Sequence, residues 1–245
     1  MRAVKGTVAT AQRVLRQLRR DPRTVAMLLV VPVVLVSLMK AVFAGGGAFQ
    51  RVGVPLLGIF PLISMFLVTA VTMQRERSTG TLERLMSMPI AKLDLLLGYA
   101  IAFGVLAAVQ ATLTSVVAFS LLDLHSDGPA WAVVTFAVGN AVLGTALGLF
   151  VSAFARSEFQ AVQFMPLFLM PQVFLCGLMA PRSSMPRALE IVSDYLPLTY
   201  AYDGLRLVAT EGAWSGALAR DIALVTAAAV ASVALGAATL QRRTG

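Results

Sequence analysis

The stretch from residue 73 to residue 89 reads MQRERSTGTLERLMSMP, a short charged segment between two long apolar runs. Gly80 or Thr81 can begin a helix here, and Pro89 ends it after about two turns, because proline disfavours helical geometry at the preceding residue. Three apolar side chains recur at helical spacing on one side: Leu82, Leu85 and Met86. A helix this short is unstable alone in water, so we expect the membrane surface or another protein to bind its apolar side.

The composition is that of an integral membrane protein. Of 245 residues, 58% are hydrophobic and 13% are charged, and the mean hydropathy is +0.81, whereas a soluble domain is about half apolar and a quarter charged. The single cysteine, Cys176, and the single histidine, His125, allow no disulfide within the chain, no histidine metal cluster and no catalytic triad beyond that one residue. We therefore expect a membrane protein without a metal, a cofactor or a catalytic site.

Six long apolar runs predict an all-α integral membrane fold with six transmembrane helices in a single transmembrane domain, residues 1–245. A helix of about 20 residues crosses the roughly 30 Å hydrocarbon core. The predicted spans are residues 25–44, 52–73, 93–122, 131–154, 159–180 and 222–240. Small residues in the fourth span recur at a spacing that lets another helix approach closely, and packing within the chain is favoured over a dimer seam. They are Ala141, Gly144, Gly148 and Ser152.

Two further segments predict short helices at the membrane surface. Residues 5–20 carry arginines around a partial apolar face, which favours an amphipathic interfacial helix over a solvated basic tail that only sets topology. Between the fifth and sixth spans, a possible helix ended by Pro197 has one apolar side. That side is formed by Met185, Leu189, Val192 and Leu196. The linker fits two short amphipathic surface helices or a re-entrant hairpin.

The basic residues lie mainly on one side of the predicted spans. Fourteen of the 20 lysines and arginines fall before the first span, in the loop 74–92, between the fourth and fifth spans, or at the end of the chain. Because cytoplasmic loops carry an excess of Lys and Arg, both termini and the 74–92 loop are predicted to be cytoplasmic.

The sequence contains no phosphate-binding loop of the G-x-x-x-x-G-K-[ST] type, so this chain is not expected to hydrolyse ATP by itself or to act as an enzyme. No Asp, Glu, Arg or His lies in the middle of a span, where ion-coupled and proton-coupled transporters usually place such groups. The polar exceptions are more often interhelical hydrogen-bonding residues than substrate ligands. They are Gln110, Asn140, Gln163 and Gln172.

Residues 76–89 closely resemble the cytoplasmic motif of the ABC type-2 exporter permeases, E-x-x-x-G-T-L-E-x-L-x-x-x-P, which in that family lies between the second and third spans. The matching residues are Glu76, Gly80, Thr81, Leu82, Glu83, Leu85 and Pro89. A second stretch resembles the family's segment between the fifth and sixth spans. It comprises Gly177, Pro181, Met185, Pro186, Leu189, Leu196-Pro197-Leu198-Thr199-Tyr200 and Arg206. The two motifs in this order are more specific than either alone.

The resemblance implies a half-transporter in the cytoplasmic (inner) membrane of a prokaryote. A second permease copy, which we expect to form a homodimer, and two separate ABC ATPase chains would export a drug, lipid, glycan or similar amphiphile. Residues 81–88 would be the coupling helix in a cleft of the ATPase, with residues 5–20 as the connecting helix beside it, and Glu76 and Glu83 would pair with basic groups of the ATPase. The expected ATPase-coupling residues are Glu76, Gly80, Thr81, Leu82, Glu83, Leu85, Met86 and Pro89.

The same resemblance implies an outer gate and a substrate path. Residues 182–211 would be outer re-entrant helices that act as a lid, and the path would run between the second and fifth spans of the two copies. The expected gate residues are Met185, Leu189, Val192, Leu196 and Pro197. The expected path residues are Met65, Phe66, Thr69, Gln163, Phe164, Phe168 and Gln172. Membrane lipid is the other expected partner, and nucleic acid is not expected.

Two other classes of function stay open at this point. A channel or facilitator that works without ATP would place residues 74–89 on the lipid surface, where charge reversal is tolerated. A membrane scaffold or regulator would show no nucleotide-dependent flux when a partner ATPase is supplied. The sequence favours no particular cargo.

Overall fold

The computed structural model describes residues 2–43, 47–87, 91–211 and 215–239, and their side chains except those of residues 2–5, 86 and 211. All regular structure among these residues is helical. The α-helices are α1 (Arg2–Arg19), α2 (Pro22–Val42), α3 (Ala48–Ser78), α4 (Thr81–Ser87), α5 (Lys92–Leu121), α6 (Ala130–Val151), α7 (Glu158–Leu175), α8 (Arg187–Asp194), α9 (Pro197–Glu211) and α10 (Gly216–Thr239). A single-turn 3₁₀ helix, Arg182–Ser184, precedes α8.

Five helices in the described part of the chain are long and apolar enough to cross a membrane: α2, α3, α5, α6 and α10. The span predicted at 159–180 corresponds to α7, which has 18 residues and is not among the five. It ends at Leu175, five residues before the predicted end, and Gly177 follows with φ +103°, a left-handed conformation that commonly terminates a helix. The protein is thus a multi-pass integral membrane protein with five candidate spans, and a sixth belongs to the proposal below.

The helix α3 is longer than the predicted second span and includes part of the charged segment. Its 31 residues extend for roughly 45 Å at about 1.5 Å per residue, against about 30 Å of hydrocarbon. Arg75, Glu76 and Arg77 therefore lie on a helical extension and not in a loop.

The closest helix contact joins α3 to α6 through the small residues of α6. A Cβ atom added to Gly144 would lie 2.2 Å from the carbonyl oxygen of Leu62, and one added to Gly148 would lie 2.5 Å from the carbonyl oxygen of Phe66. Side chains at these positions would overlap the α3 backbone. The predicted packing of this small-residue pattern within the chain is confirmed.

Two of the four polar residues in the spans join different helices. Gln110 on α5 donates to the carbonyl oxygen of Leu28 on α2 at 2.7 Å, and Asn140 on α6 donates to the carbonyl oxygen of Ala201 on α9 at 3.0 Å. For these two residues the prediction is confirmed. It is wrong for Gln172, which donates within α7 to the Phe168 carbonyl oxygen at 3.0 Å because that carbonyl lies one turn away.

We expect Gly144→Ala to lower the apparent melting temperature of the purified protein, because the added methyl group overpacks the α3 contact at a cost of about 1–3 kcal/mol. The matched control is Gly139→Ala on the same helix, where a Cβ atom meets nothing within 4 Å. That substitution should leave the melting temperature unchanged or raise it slightly, since alanine favours a helix over glycine by about 0.5–1 kcal/mol. Equal melting temperatures for the two variants would contradict the described contact.

Candidate functional site

A two-residue turn, Thr79 and Gly80, separates α3 from α4. Gly80 takes φ +71°, which suits glycine because it has no Cβ atom, and its N–H donates to the carbonyl oxygen of Arg77 at 3.1 Å. The Thr79 hydroxyl lies 2.9 Å from the carbonyl oxygen of Arg75 and 3.0 Å from the hydroxyl of Thr81. These contacts fix the start of α4 relative to the end of α3.

The apolar side of α4 is covered by the chain itself. Leu82 is 2% exposed and belongs to the main hydrophobic cluster, with Val14 of α1 and Tyr99 of α5, and Leu85 packs against the same cluster. The expectation that another protein or the membrane binds this apolar side is therefore wrong for Leu82. The sequence reveals an apolar face, but not that α1 and α5 come together beneath it.

The polar side of α4 is what the chain presents outward. Glu83, Arg84 and Ser87 are exposed, and Thr81 is half-buried. Of the other residues expected at the ATPase contact, Gly80 forms the turn. Pro89 and the side chain of Met86 lie outside the described residues.

Glu76 lies at the centre of a polar cluster that ties three helices together. Its carboxylate, 4% exposed, accepts a hydrogen bond from the Arg13 guanidinium of α1 at 3.4 Å. The same guanidinium donates to the hydroxyl of Tyr99 on α5 and lies 5.6 Å from the centre of that ring. Glu76 was expected to pair with basic groups of an ATPase; in the structure its carboxylate is buried and pairs with Arg13 of the same chain.

A cleft of about 590 Å³ lies beside this cluster, between α1, α3 and α7. One part of its wall is apolar, with Leu67, Val68, Val71 and Val162. Another part is charged and includes Asp21, Arg13, Arg75 and Glu76. The Asp21 carboxylate accepts hydrogen bonds from Thr24, which lower its pKa below the ordinary value. An amphiphilic molecule could lie with its polar and apolar parts on matching walls.

The expected path residues divide into a buried and an accessible group. Met65, Phe66 and Thr69 on α3 are fully buried within the chain. Phe66 stacks against Phe168 of α7 with ring centres 6.3 Å apart. The accessible members of the set on α7 are Gln163 and Phe168, with Phe164 half-buried, whereas Gln172 is buried. The second and fifth predicted spans therefore do meet, but the α3 residues line no open surface of the single chain.

At the opposite end of the bundle, Arg182 joins the short helices α8 and α9. Its guanidinium donates to the Ser193 hydroxyl at 2.9 Å and to the Asp203 carboxylate at 3.2 Å, and it also pairs with Asp194. Burial raises the pKa of Asp203 above its ordinary value, and the neighbouring Arg182 opposes that shift. We refer to Arg182, Ser193, Asp194 and Asp203 as the Arg182 cluster.

The expected gate residues are arranged differently from the sequence prediction. Met185 is extended and precedes α8, because Pro186 and Arg187 begin the helix, and Pro197 begins α9 where it was expected to end the preceding helix. Leu189 is 43% exposed and Val192 is 47% exposed, while Leu196 is half-buried. The polar residue Ser193 turns inward to Arg182, so part of the apolar side of α8 faces outward.

The titratable groups do not form a metal site in the described part of the chain. No group of three or more His, Cys, Asp or Glu side chains there is placed to hold a metal ion. The candidate site consists of two polar surfaces, one around Glu76 and α4 and one formed by the Arg182 cluster, at the two ends of a helical bundle.

Known proteins are similar to this chain in sequence. A profile of the family described as ABC-2 type transporter matches residues 6–209. A probable multidrug ABC transporter permease, YbhR of Escherichia coli K12, is 25% identical over 151 residues, which cover 60% of this chain and 40% of YbhR. The linearmycin resistance permease protein LnrN of Bacillus subtilis 168 is 23% identical over 155 residues, 63% of this chain and 40% of LnrN.

A eukaryotic relative is also similar. ABC transporter G family member 20 of Dictyostelium discoideum is 26% identical over 145 residues, 59% of this chain and 20% of that protein. The chain thus matches less than half of the length of each of these three relatives.

We expect Arg13→Ala to destabilise the protein because it leaves the buried Glu76 carboxylate unpaired. Removing one partner of a buried pair costs about 3–5 kcal/mol, and the value here should lie at or below the lower end because Arg13 is one-third exposed. Adding Glu76→Gln to Arg13→Ala should recover part of the lost melting temperature. The control is Arg75→Ala, which removes an exposed pair with Glu158 worth about 0–1 kcal/mol. An equal loss in the two single variants would contradict the role of Glu76.

Proposed function

We propose that this chain, which belongs to the ABC-2 type transporter family, is the membrane-spanning permease subunit of an ATP-driven exporter. The ATP-binding subunit is a separate chain. The observation that carries the proposal is α4, a helix too short to be stable alone whose apolar side is held by its own chain and whose charged side is exposed. The exposed polar side of such a helix is a surface to which another protein can bind.

The polar cluster around Glu76 provides a route for movement from α4 into the membrane. α4 follows α3 directly through the Gly80 turn, and Glu76 on the last turns of α3 binds Arg13 on α1, which binds Tyr99 on α5. A displacement of α4 by the ATP-binding subunit therefore acts on three helices together. Coupling of this kind needs two discrete arrangements of packed elements, and nucleotide binding selects between them.

The substrate class we infer is an amphiphile. The cleft between α1, α3 and α7 has charged and apolar walls, and relatives carry names that refer to multidrug transport and linearmycin resistance. The α3 residues are covered in the single chain, so they line a path only when α3 and α7 separate, and we infer a second permease copy from the outer surface of α7. Exposed apolar side chains on α7 offer the surface that such a copy or lipid would cover: Phe159, Leu167 and Phe174. The mass of the assembled complex tests the two-copy assembly.

We expect Glu83→Arg to reduce substrate-stimulated ATP hydrolysis of the assembled complex by roughly tenfold or more, because a reversed charge faces the groups that bound the carboxylate. Glu83 is exposed, so insertion and folding should be unchanged. Leu82→Asp would not be an informative substitute, since it places a charge in the hydrophobic cluster. The control is Asp127→Arg, an equal reversal at an exposed position at the other end of the bundle. Full stimulation of the Glu83→Arg complex would favour a helix that merely lies on the lipid surface.

We also propose that α8 and α9 form an outer gate whose closed position is held by the Arg182 cluster. Arg182→Ala should loosen α8 and raise ATP hydrolysis in the absence of substrate while export per ATP falls. Arg187→Ala provides the matched control, because Arg187 is exposed and pairs with Glu190 on the same helix. Unchanged coupling in a stable Arg182→Ala complex would make this segment a connector only.

The proposed orientation places both termini and α4 in the cytoplasm of a bacterial cell, with α7 (Glu158–Leu175) as the sixth span. In a Cys176→Ala background, Ser78→Cys should react with a membrane-impermeant thiol reagent only after the membrane is opened, and Asp127→Cys should react in intact cells. Both positions are exposed in the structure. Reaction of Ser78→Cys in intact cells would overturn this topology.

A further inference from the structure

A cavity of about 320 Å³ lies between α6, α9 and α10. Its wall is mainly apolar and includes Trp131 and Phe136 of α6, Val208 of α9, and Ile222 and Val225 of α10. None of the seven expected path residues lines it. It is therefore separate from the cleft and the helix pair to which the transport function is assigned.

The cavity has an identifiable origin in two glycines. A Cβ atom added to Gly204 of α9 would lie 2.1 Å from Cζ of Phe136, so the missing side chain lets that ring pack directly against α9. On the cavity side of α6, a Cβ atom added to Gly139 would meet nothing within 4 Å. The Phe136 ring packs against α9, and Gly139 has no side chain to fill the space that remains in the cavity.

The polar side chains of Thr135, Asn140 and Thr226 line a small part of the wall, and the Oδ1 atom of Asn140 is buried without a hydrogen-bond partner among the described residues. The Thr135 hydroxyl donates to the carbonyl oxygen of Trp131 at 2.8 Å, and the side-chain amide of Asn140 donates to the carbonyl oxygen of Ala201 at 3.0 Å. Apolar cavities of this kind bind water poorly and accept apolar ligands. The preferred occupant is therefore hydrocarbon and not a charged headgroup.

The position of the cavity identifies the source of the hydrocarbon. It runs along α6 from Trp131 to Asn140, a rise of about 13 Å at about 1.5 Å per residue, and α6 and α10 are both candidate spans. Trp131 is 62% exposed at the first turn of α6, where tryptophan favours the boundary between lipid headgroups and acyl chains. A volume near the lower end of the roughly 300–1,000 Å³ range of ligand pockets suits one chain and not a whole lipid.

We propose that this cavity binds one acyl chain of a membrane phospholipid, whose headgroup remains near Trp131. The bound chain fills the gap between α6, α9 and α10 and supports α9, which carries Asp203 of the Arg182 cluster. This site is independent of the proposed transport function, because it requires neither an ATP-binding subunit nor a substrate.

Gly139→Leu tests the proposal because a Cβ atom at residue 139 meets nothing within 4 Å and the rest of the leucine side chain extends into the cavity. The protein is reconstituted in nanodiscs of phosphatidylethanolamine and phosphatidylglycerol, extracted, washed with detergent, and examined by native mass spectrometry. Wild-type protein should retain one phospholipid per chain, and Gly139→Leu should lose that mass increment. Gly104→Leu is the control, since a Cβ atom there meets only Val142 Cγ2 at 3.9 Å and the residue lies on α5, away from the cavity.

A second variant that fills the cavity distinguishes loss of the lipid site from misfolding. Thr226→Leu enlarges a lining residue on α10 and should also lose the lipid while its melting temperature matches that of Gly104→Leu. Wild-type protein that retains no phospholipid would overturn the proposal. So would equal retention by wild type and by a folded filling variant.

Discussion

The burial of the Glu76 carboxylate is the constraint on which the α4 end of this helical bundle depends. A charged group with so little exposure must be paired, and the partner is Arg13 on α1, which is 63 residues away in the sequence. Because Arg13 also binds Tyr99, the pair holds α1 against α3 and α5 at the place where α4 begins. The same arrangement closes the hydrophobic cluster over Leu82, so the position of α4 follows from an ion pair formed outside it.

The sequence predicted those parts of the fold that depend on local pattern. Hydropathy located the long spanning helices, and small residues at positions such as Gly144 predicted a close contact that the structure places against α3. The apolar side of α4 was also predicted, but its partner was not, because Val14 and Tyr99 reach it only through the tertiary fold. Glu76 was assigned to an intermolecular contact for the same reason: a motif shows that a charge is needed and not which charge it meets.

In the segment that contains α8 and α9, the sequence pattern did not predict where the helices begin or which side of α8 faces outward. Pro197 was predicted to end a helix, whereas it begins α9, and Pro186 precedes the first helical residue of α8, as suits a residue without an N–H donor. The direction in which α8 faces depends on Arg182, which binds the buried Ser193 and leaves Leu189 and Val192 outward. From the sequence pattern alone, Leu189 and Val192 would be predicted to be buried. In a membrane the outward face can meet lipid or another chain, so the aqueous rule for helix orientation does not decide it.

We propose that the exposed polar side of α4 binds the ATP-binding subunit. The direct measurement is photo-cross-linking in cells that contain both subunits, with a photoreactive phenylalanine analogue at Glu83 and, as a reference, at Asp127. We predict a covalent adduct between the permease and the ATP-binding subunit from position 83 and none from position 127. An adduct with lipid alone from position 83 would contradict this proposal and would indicate that α4 lies on the membrane surface.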